Sequence, residues 1–216
     1  MLLKLFKNKT IKYITKGIFL FIFIFISAST SADNVYINKK CNFSFVIPES
    51  WVEMSYSSIE TRQKELEKNL GKKMKSTLDA GFKKEHHLDF ESPYIVINIY
   101  PHYGALTEKK FMEKYLVSKE INSNSFAGKA ITMEIIKNLK IGDSDYDQKR
   151  KIAYIKGAAT RAGVGDIVTI SAIILGKNDI ININFTSLSK DFQDEVESFA
   201  DLMKSFSFRS GYAFDE

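Results

Sequence analysis

The residues best suited to bind a metal ion lie in one short stretch. His86 and His87 are adjacent, and Asp89 and Glu91 follow them closely. Imidazole and carboxylate groups are ligands of zinc and similar divalent ions, so His86 and His87 are candidate metal ligands. Adjacent side chains point apart in an extended chain, and His102 comes only after an intervening strand about 20 Å long. Solvent-exposed loop histidines are therefore the competing interpretation.

A second candidate metal site is an acidic segment with the sequence GDSDYD. Asp143, Asp145 and Asp147 stand at alternate positions, as at the start of a calcium loop. That loop requires glycine at its sixth position and glutamate at its twelfth, where this chain has Gln148 and Tyr154. The calcium pattern therefore fails, and we expect a hairpin turn with solvated aspartates. Asp143 and Asp145 are kept as candidate ligands of a divalent ion.

Motifs for covalent catalysis are missing from the sequence. A nucleophile elbow needs the pattern G-x-S-x-G, which does not occur. The glycine pair at 163–165 is too short for a dinucleotide or phosphate fingerprint. No serine or cysteine is placed by the sequence to act with the histidines. We therefore expect a protein without catalytic residues and without a cofactor, unless a divalent metal binds.

The first 32 residues have the three parts of a secretory signal. Five lysines and no acidic residue precede an apolar run at 18–26, and small residues follow as far as Ala32. The alternative is an uncleaved membrane anchor, but a spanning helix needs roughly 20 apolar residues. The sequence therefore predicts a cleaved signal over 1–32, a single domain over 33–216, and a periplasmic or secreted protein.

Removing this segment changes the charge of the protein. The whole chain has 31 basic and 26 acidic side chains, and without the five signal lysines the two numbers become equal. A formally neutral domain argues against nucleic acid as a partner, because nucleic-acid binding requires a basic patch.

Cys41, the single cysteine, has no partner for an intramolecular disulfide. The residues before it, Asn38, Lys39 and Lys40, are not the small apolar residues that precede a lipidated cysteine. We therefore do not expect Cys41 to carry a lipid. We expect it to be a buried, small apolar residue.

The hydrophobic periodicity predicts an α+β protein. Leu66, Leu70, Met74, Leu78 and Phe82 recur every four residues, which predicts one helix over 59–83 with a lysine-rich outer face. Two more helices are predicted over 107–122 and from Ser189 onward. Predicted strands cover residues 43–47, 94–100, 131–139, 149–158, 166–175 and 180–186.

Both ends of this order of elements resemble a known family. The segment FSFVIPESW, the hairpin strand IININFTS, the helix SKDFQDEVESFADLM and the final KSFSF are similar to the PsbP-like family. The resemblance spans roughly residues 35–208. It implies an antiparallel sheet with helices on both faces, an α/β/α sandwich also found in Ran-binding proteins of the Mog type. It further implies a non-enzymatic binding or accessory module.

These observations favour an exported protein that acts by binding a protein partner or an envelope component. No nucleic acid is expected, and the membrane is contacted only during export. Tyr94, Tyr100 and Tyr103 are candidate surface aromatics for a partner, although the second covered face of a sheet explains the first two equally well. Two alternatives stay open. One is divalent-metal binding, and the other is attachment to anionic lipid through the lysine face of helix 59–83.

Overall fold

The computed structural model describes residues 34–101, 107–113 and 136–209. The chain divides between Asn34 and Val35, and the fold presented here is that of the unit from Val35 onward. Its elements in chain order are β1 (Val35–Asn38), β2 (Phe43–Val46), β3 (Trp51–Glu53), α1 (Tyr56–Leu70), β4 (Thr77–Lys84), β5 (Tyr94–Pro101), α2 (Glu108–Met112), β6 (Ile136–Asp147), β7 (Ile152–Arg161), β8 (Gly165–Leu175), β9 (Asp179–Leu188), α3 (Phe192–Ser205) and β10 (Ser207–Phe208).

The described strands form two sheets. The larger has seven strands in the order β3-β4-β5-β9-β8-β7-β6, and the smaller has the order β1-β2-β10. Every pairing is antiparallel. Helices contact both faces of the large sheet, so the predicted α+β architecture is confirmed.

The main core lies between the large sheet and a layer made of the small sheet and α3. Phe45 of β2 meets Phe82 of β4 edge to face, with ring centroids 5.5 Å apart. Phe199 of α3 stacks on Phe185 of β9 at 5.4 Å. Trp51 is buried against the same Phe185 ring. Aromatic pairs of this geometry add to the stabilisation from buried area.

The opposite face of the large sheet carries α1 and α2. Side chains alternate between the faces of a strand, so Ile95 and Ile97 enter the main core whereas Val96 joins Ile59 of α1 in a separate apolar cluster. Helix α1 approaches β4 closely at Gly81, where a Cβ atom would lie 2.8 Å from the Ile59 side chain. Glycine at this position permits the contact.

The predicted helix over 59–83 is wrong in its second half. Helix α1 ends at Leu70, and Gly71 caps it in the left-handed conformation with φ of 63°. Residues from Thr77 onward form β4. An apolar residue at every fourth position fits the 3.6-residue helical period, but it fits the two-residue strand period as well. Because the helix is short, the lysines after Gly71 do not share its outer face.

The acidic segment is also placed differently from the prediction. GDSDYD is the second half of β6, which runs to Asp147, and the turn comes afterwards at 148–151. Strand β7 consequently begins at Ile152 and not at residue 149. Charged residues are common on edge strands, so polarity alone did not separate this strand from a turn.

The last helix begins at Phe192 with Asp191 as its N-cap, three residues later than predicted.

Several predictions concern residues outside the described ranges. These are the signal segment with its cleavage after Ala32, residues His102 and Tyr103, the helix over 107–122 beyond residue 113, and the strand over 131–139 before residue 136. The described start of that helix has Thr107 as its N-cap, as predicted. No helix in the described part of the chain is long and apolar enough to span a membrane.

A partly buried polar contact joins the two sheets at β4. Asp79 occupies an irregularity in the pairing of β4 with β5, and a bulge of this kind redirects a side chain. Its Oδ2 accepts hydrogen bonds from the Tyr36 hydroxyl at 2.8 Å and from Nδ2 of Asn38 at 2.5 Å. Burial, and then the charge of Asp79, raise the pKa of Tyr36 above its usual range. The hydroxyl therefore stays protonated and donates.

Cys41 lies beside this contact. Its backbone N–H donates to Oδ1 of Asn38 at 2.7 Å, and its thiol donates to Asp179 at 3.6 Å. The side chain has no exposed surface, which confirms the expectation of a buried small residue. A buried thiol with a carboxylate neighbour lacks the electropositive setting of a reactive cysteine.

We expect the replacement Phe185→Ala to lower the free energy of unfolding by about 3–5 kcal/mol, because it opens a cavity among the rings of Trp51 and Phe199. Urea denaturation of the two proteins measures this difference. The control is Tyr56→Ala, since the Tyr56 side chain is exposed. A loss no larger than that of the control would contradict the assignment of Phe185 to the core.

A second prediction concerns Glu53, whose pKa is raised by partial desolvation and then by the charge of Asp79. A raised carboxyl pKa favours the protonated native state, so the stability that Glu53 contributes is present at low pH and is lost as pH rises through its folded pKa. Glu53→Gln should therefore be more stable than the natural protein at neutral pH, and this advantage should shrink on acidification. Urea titrations at both pH values test this, with exposed Glu49→Gln as the control. An advantage that is independent of pH would contradict it.

Candidate functional site

An open groove of about 420 Å³ lies between α3 and the β6 end of the large sheet. Helix α3 forms one wall through Phe199, Ala200, Met203 and Lys204. Residues three or four apart lie on the same side of a helix, so these side chains form one continuous edge. The groove follows from how α3 is seated on the sheet, because Phe199 and Met203 are also part of the main core.

Strands β7 and β8 form the floor of the groove. Tyr154 and Lys156 are two residues apart on β7 and therefore share a face. Ile170 of β8 lies directly opposite Lys156 in the pairing of the two strands. Tyr154 and Ile170 border the main core. The floor is thus the apolar core of the protein where it reaches the surface.

The rim of the groove carries both signs of charge. Lys156 is exposed, and its Nζ lies 4.7 Å above the ring of Phe192. Asp143 and Asp145 of β6 lie on the other side, and both are exposed. Lys204 pairs with Asp201 at 2.7 Å. An apolar floor with a mixed polar rim has the composition of a protein-binding surface.

Arg150 fixes the geometry of the groove. It lies in the turn between β6 and β7, and its guanidinium donates to the backbone carbonyls of Met203 and Phe206 at the end of α3. The last carbonyls of a helix have no partner inside the helix, and a cation there also interacts favourably with the helix dipole. Arg150 therefore joins the strand wall of the groove to the helix wall.

The groove lining contains few groups that act as nucleophiles. Its lining residues, all within the described ranges, include no histidine and no cysteine, and Ser144 supplies the only aliphatic hydroxyl. Burial raises the pKa of Tyr154, which Arg150 opposes, so this phenol is protonated at neutral pH and is no base. The arrangement of an apolar floor beneath a charged rim suits the binding of another molecule.

The predicted histidine ligands lie in the turn after β4. His86 is exposed, whereas Nδ1 of His87 lies 3.1 Å from the carbonyl oxygen of Ser92. Asp89 forms an ion pair with Lys83 at 3.0 Å. The polar atoms of this turn are therefore engaged with one another.

The two candidate metal sets are far apart. His86 follows strand β4, whereas Asp143 lies in strand β6. These two strands are five positions apart in the sheet order. At about 4.8 Å per strand this is about 24 Å, so the histidines and aspartates do not form one site. Within 34–101, 107–113 and 136–209, no three histidine, cysteine or acidic residues are grouped to hold a metal ion. The divalent-metal site stays a prediction.

A second depression, of about 410 Å³, lies at the start of α1. Its polar side chains are paired with one another. Arg62 bonds Glu65 at 3.2 Å and lies over the Phe90 ring, and Asp89 accepts a hydrogen bond from Ser58, which lowers the pKa of that carboxyl. This depression also offers less apolar surface than the groove.

Tyr94 and Tyr100, the two candidate surface aromatics that the structure describes, are partly buried by packing. Tyr94 contacts the Phe90 ring edge to face at 6.0 Å. Tyr100 packs against a small cluster that contains Phe111 of α2. Both lie on the face covered by α1 and α2, which confirms the second covered face as their explanation.

The sequence places Phe199 and Met203 within the last predicted helix without indicating a groove there, and it does not single out Arg150. The groove depends on which strands lie beyond α3, and that order is set by pairings distant in sequence. One local signal was available. Lys156 interrupts the apolar side of β7 between Tyr154 and Ala158, which marks a place where that face leaves the core.

Comparison with solved structures identifies the fold. The cyanobacterial PsbP (CyanoP) from Synechocystis sp. PCC 6803 superposes with a TM-score of 0.51 at 11% identity, over 84% of this chain and 96% of that protein. The fold is PsbP-like. The resemblance seen in the sequence is thereby confirmed at the level of fold, which does not specify chemistry.

Two other solved structures match the chain with lower scores. One is LpqN from Mycobacterium tuberculosis, which is involved in cell envelope biogenesis, with a TM-score of 0.44 at 10% identity over 83% of this chain and 86% of LpqN. The other is the Ran-binding protein Mog1p from Saccharomyces cerevisiae, with 0.43 at 9% identity over 82% and 95%. No protein-family model and no curated protein sequence matches the chain.

We expect Arg150→Ala to lower the free energy of unfolding by about 1.5–3 kcal/mol, since it removes charge-assisted hydrogen bonds to two helix-terminal carbonyls. Amide exchange at the end of α3 should also become faster. The matched control is the exposed neighbour Lys149→Ala, for which a change within about 0.5 kcal/mol is expected. Equal effects of the two variants on stability and exchange would contradict the role of Arg150.

Proposed function

We propose that this protein is an exported, non-enzymatic binding protein of the cell envelope that holds a protein partner in the groove between α3 and the β6 end of the sheet. One observation carries the proposal. Among the described residues, the groove reaches the edge of the apolar core, where partly buried Tyr154 and Ile170 form its floor next to buried Phe199 and Met203, beneath a charged rim.

The composition of the groove favours a protein as the ligand. Interfaces between proteins combine an apolar centre with a polar rim and are enriched in aromatic residues, methionine and arginine. The groove contains one residue of each type, for example Tyr154, Met203 and Arg150. The presence of Asp143 and Asp145 on the rim disfavours nucleic acid, because phosphates require a basic surface. The volume of about 420 Å³ accommodates a few partner side chains.

Export is proposed from the sequence of residues 1–32 and from the neutral charge of the remainder. The location would be the periplasm or the exterior of the cell. We infer a non-enzymatic role because the groove provides a binding surface, and its lining does not present a nucleophile paired with a general base.

Site-specific photo-crosslinking in living cells tests the proposal. A photoreactive amino acid at Ala200, an exposed position in the groove wall, should give a discrete crosslinked species in the envelope fraction. The matched control carries the same amino acid at Lys68, which is exposed on α1 on the opposite face of the sheet. We expect at least a severalfold weaker signal there.

Identification of the Ala200 adduct by mass spectrometry then distinguishes a protein from a lipid or glycan. Equal adducts at the two positions, or no adduct at Ala200 in cells that express the protein, would overturn the proposed function. An adduct with lipid alone would also overturn the assignment of a protein partner.

A further inference from the structure

One end of the large sheet is made of turns that carry exposed lysines. The antiparallel register brings the start of β4, the end of β5, the start of β9, the end of β8, the start of β7 and the end of β6 to this end. Its described turns are therefore residues 71–76, 148–151 and 176–178. The 39–42 turn of the small sheet lies there too, because the Cys41 thiol contacts Asp179 at the start of β9.

These four turns present positive charge to solvent. Each of them contributes exposed lysines, which include Lys39, Lys40, Lys72, Lys73, Lys149 and Lys177. Helix α2 lies at the same end, since Phe111 packs with Ile180. It adds exposed Lys109 and Lys110, with Glu113 as an exposed acid at its C-cap. The four turns and α2 are called the basic end from here on.

Most acidic side chains that the structure places near the basic end are engaged by neighbours. Asp147 accepts a hydrogen bond from the backbone N–H of Arg150 at 3.0 Å. Glu108 forms an ion pair with Lys151 at 3.1 Å, and Asp179 is buried. The exposed aspartates of the groove rim stand farther along β6. The solvated charge of this surface is therefore mainly positive.

The opposite end of the same strands has the reverse balance. Its turn at 85–93 carries exposed Glu85 and Glu91. Exposed Asp166 lies at the start of β8, and exposed Asp194 lies in the first turn of α3. Lys190 is exposed at this end, but the two lysines that end β4 are held in ion pairs. The charges of the domain are therefore separated along the direction of the strands.

The spread of the basic end favours a broad anionic surface over a small anion. Strands β4 and β6 are five positions apart in the sheet, which corresponds to about 24 Å. The turn of the small sheet forms a second row about 10 Å away, the usual distance between stacked sheets. Lysines spaced over such an area do not close around one phosphate group. They match many anionic groups that lie in one plane.

The types of side chain favour lipid over nucleic acid. Lysine carries a compact, hydrated charge on a flexible stem, which suits mobile headgroups, and each lysine near an anionic bilayer strengthens binding about fivefold. Proteins that bind single-stranded nucleic acid stack its bases on aromatic side chains. Among the described residues, the strongly exposed aromatic side chain is that of Tyr56. It lies at the start of α1, where Ser58 bonds Asp89 of the opposite end.

We propose that the basic end docks this protein on the surface of a bilayer that contains anionic lipid, with the strands directed away from the membrane. The sequence left attachment to anionic lipid open and assigned it to the lysine face of a longer helix. The structure ends that helix at Leu70 and places Lys72 and Lys73 in the turn that follows. This contact is peripheral and lasting, in contrast to the expected contact with the membrane only during export.

The docking surface is independent of the proposed function. Neither Lys72 nor Lys177 lines the groove between α3 and the sheet. Binding to vesicles and crosslinking to a protein at Ala200 therefore succeed or fail separately.

Vesicle flotation of the protein purified as its host processes it tests the proposal. One vesicle is phosphatidylcholine with about one third phosphatidylglycerol, which supplies the negative surface potential, and the other is phosphatidylcholine alone. We expect binding to the anionic vesicle only. Raising the salt from about 0.05 M to about 0.5 M should weaken this binding about tenfold or more, because salt screens exposed charges. This comparison requires no variant.

Charge reversals then locate the contact. Lys72→Glu and Lys177→Glu should each lower the partition coefficient on the anionic vesicle about fivefold or more. The matched control, Lys190→Glu, makes the same change in net charge about 30 Å away at the other end of β9. Because that distance exceeds the Debye length, its partition coefficient should stay within about twofold of the natural protein. All three side chains are exposed, and circular dichroism verifies the fold of each variant.

Four results would overturn the proposal. Equal binding to both vesicles would indicate apolar insertion, and no binding to the anionic vesicle at low salt would leave the basic end without this role. Equal losses in K72E, K177E and K190E would show that net charge, and not the basic end, is recognised. Tighter binding to duplex DNA than to the anionic vesicle at the same salt would make lipid the wrong partner.

Discussion

In the described part of the chain the large sheet is wider than the layer that covers its core face, and this mismatch determines where the groove lies. Seven strands at about 4.8 Å spacing extend about 29 Å from the first strand to the last, whereas one helix covers about 10 Å. The small sheet covers β4 through Phe45 and Phe82, and α3 covers β9 through Phe199 and Phe185. Strands β7 and β6 extend past α3. The apolar side chains at that boundary have no further element over them within the described residues, and they form the floor of the groove.

The covering layer consists of the small sheet and α3. Polar contacts at its two ends fix its position over the large sheet. Asp79 binds the Tyr36 hydroxyl across the sheets, and Arg150 binds the carbonyls that end α3. Between them, the Ser205 hydroxyl accepts a hydrogen bond from the Val46 N–H, which joins α3 to β2 at 2.9 Å. Apolar packing alone is non-directional. These hydrogen bonds specify how far α3 lies from β7, and thereby the width of the groove.

The sequence predicted those parts of the fold in which local pattern and long-range packing agree. The alternation of Ile181, Ile183 and Phe185 marks β9 without ambiguity. The helical stripe failed at Leu78, because its four-residue spacing suits a strand equally well, and Gly71 was the only local sign of the break. The groove was not predictable in this way. Its walls come from a turn, two distant strands and a helix whose proximity follows from the strand order, and Arg150 has no sequence signature as a helix-terminal donor.

Hydrogen–deuterium exchange on the purified protein, with and without the solubilised envelope fraction, tests most directly whether the uncovered end of the sheet is the binding surface. The account predicts slower exchange in peptides that contain residues 143–156 and 199–204, with no change in α1. Unchanged exchange at the groove, or protection confined to α1, would contradict it.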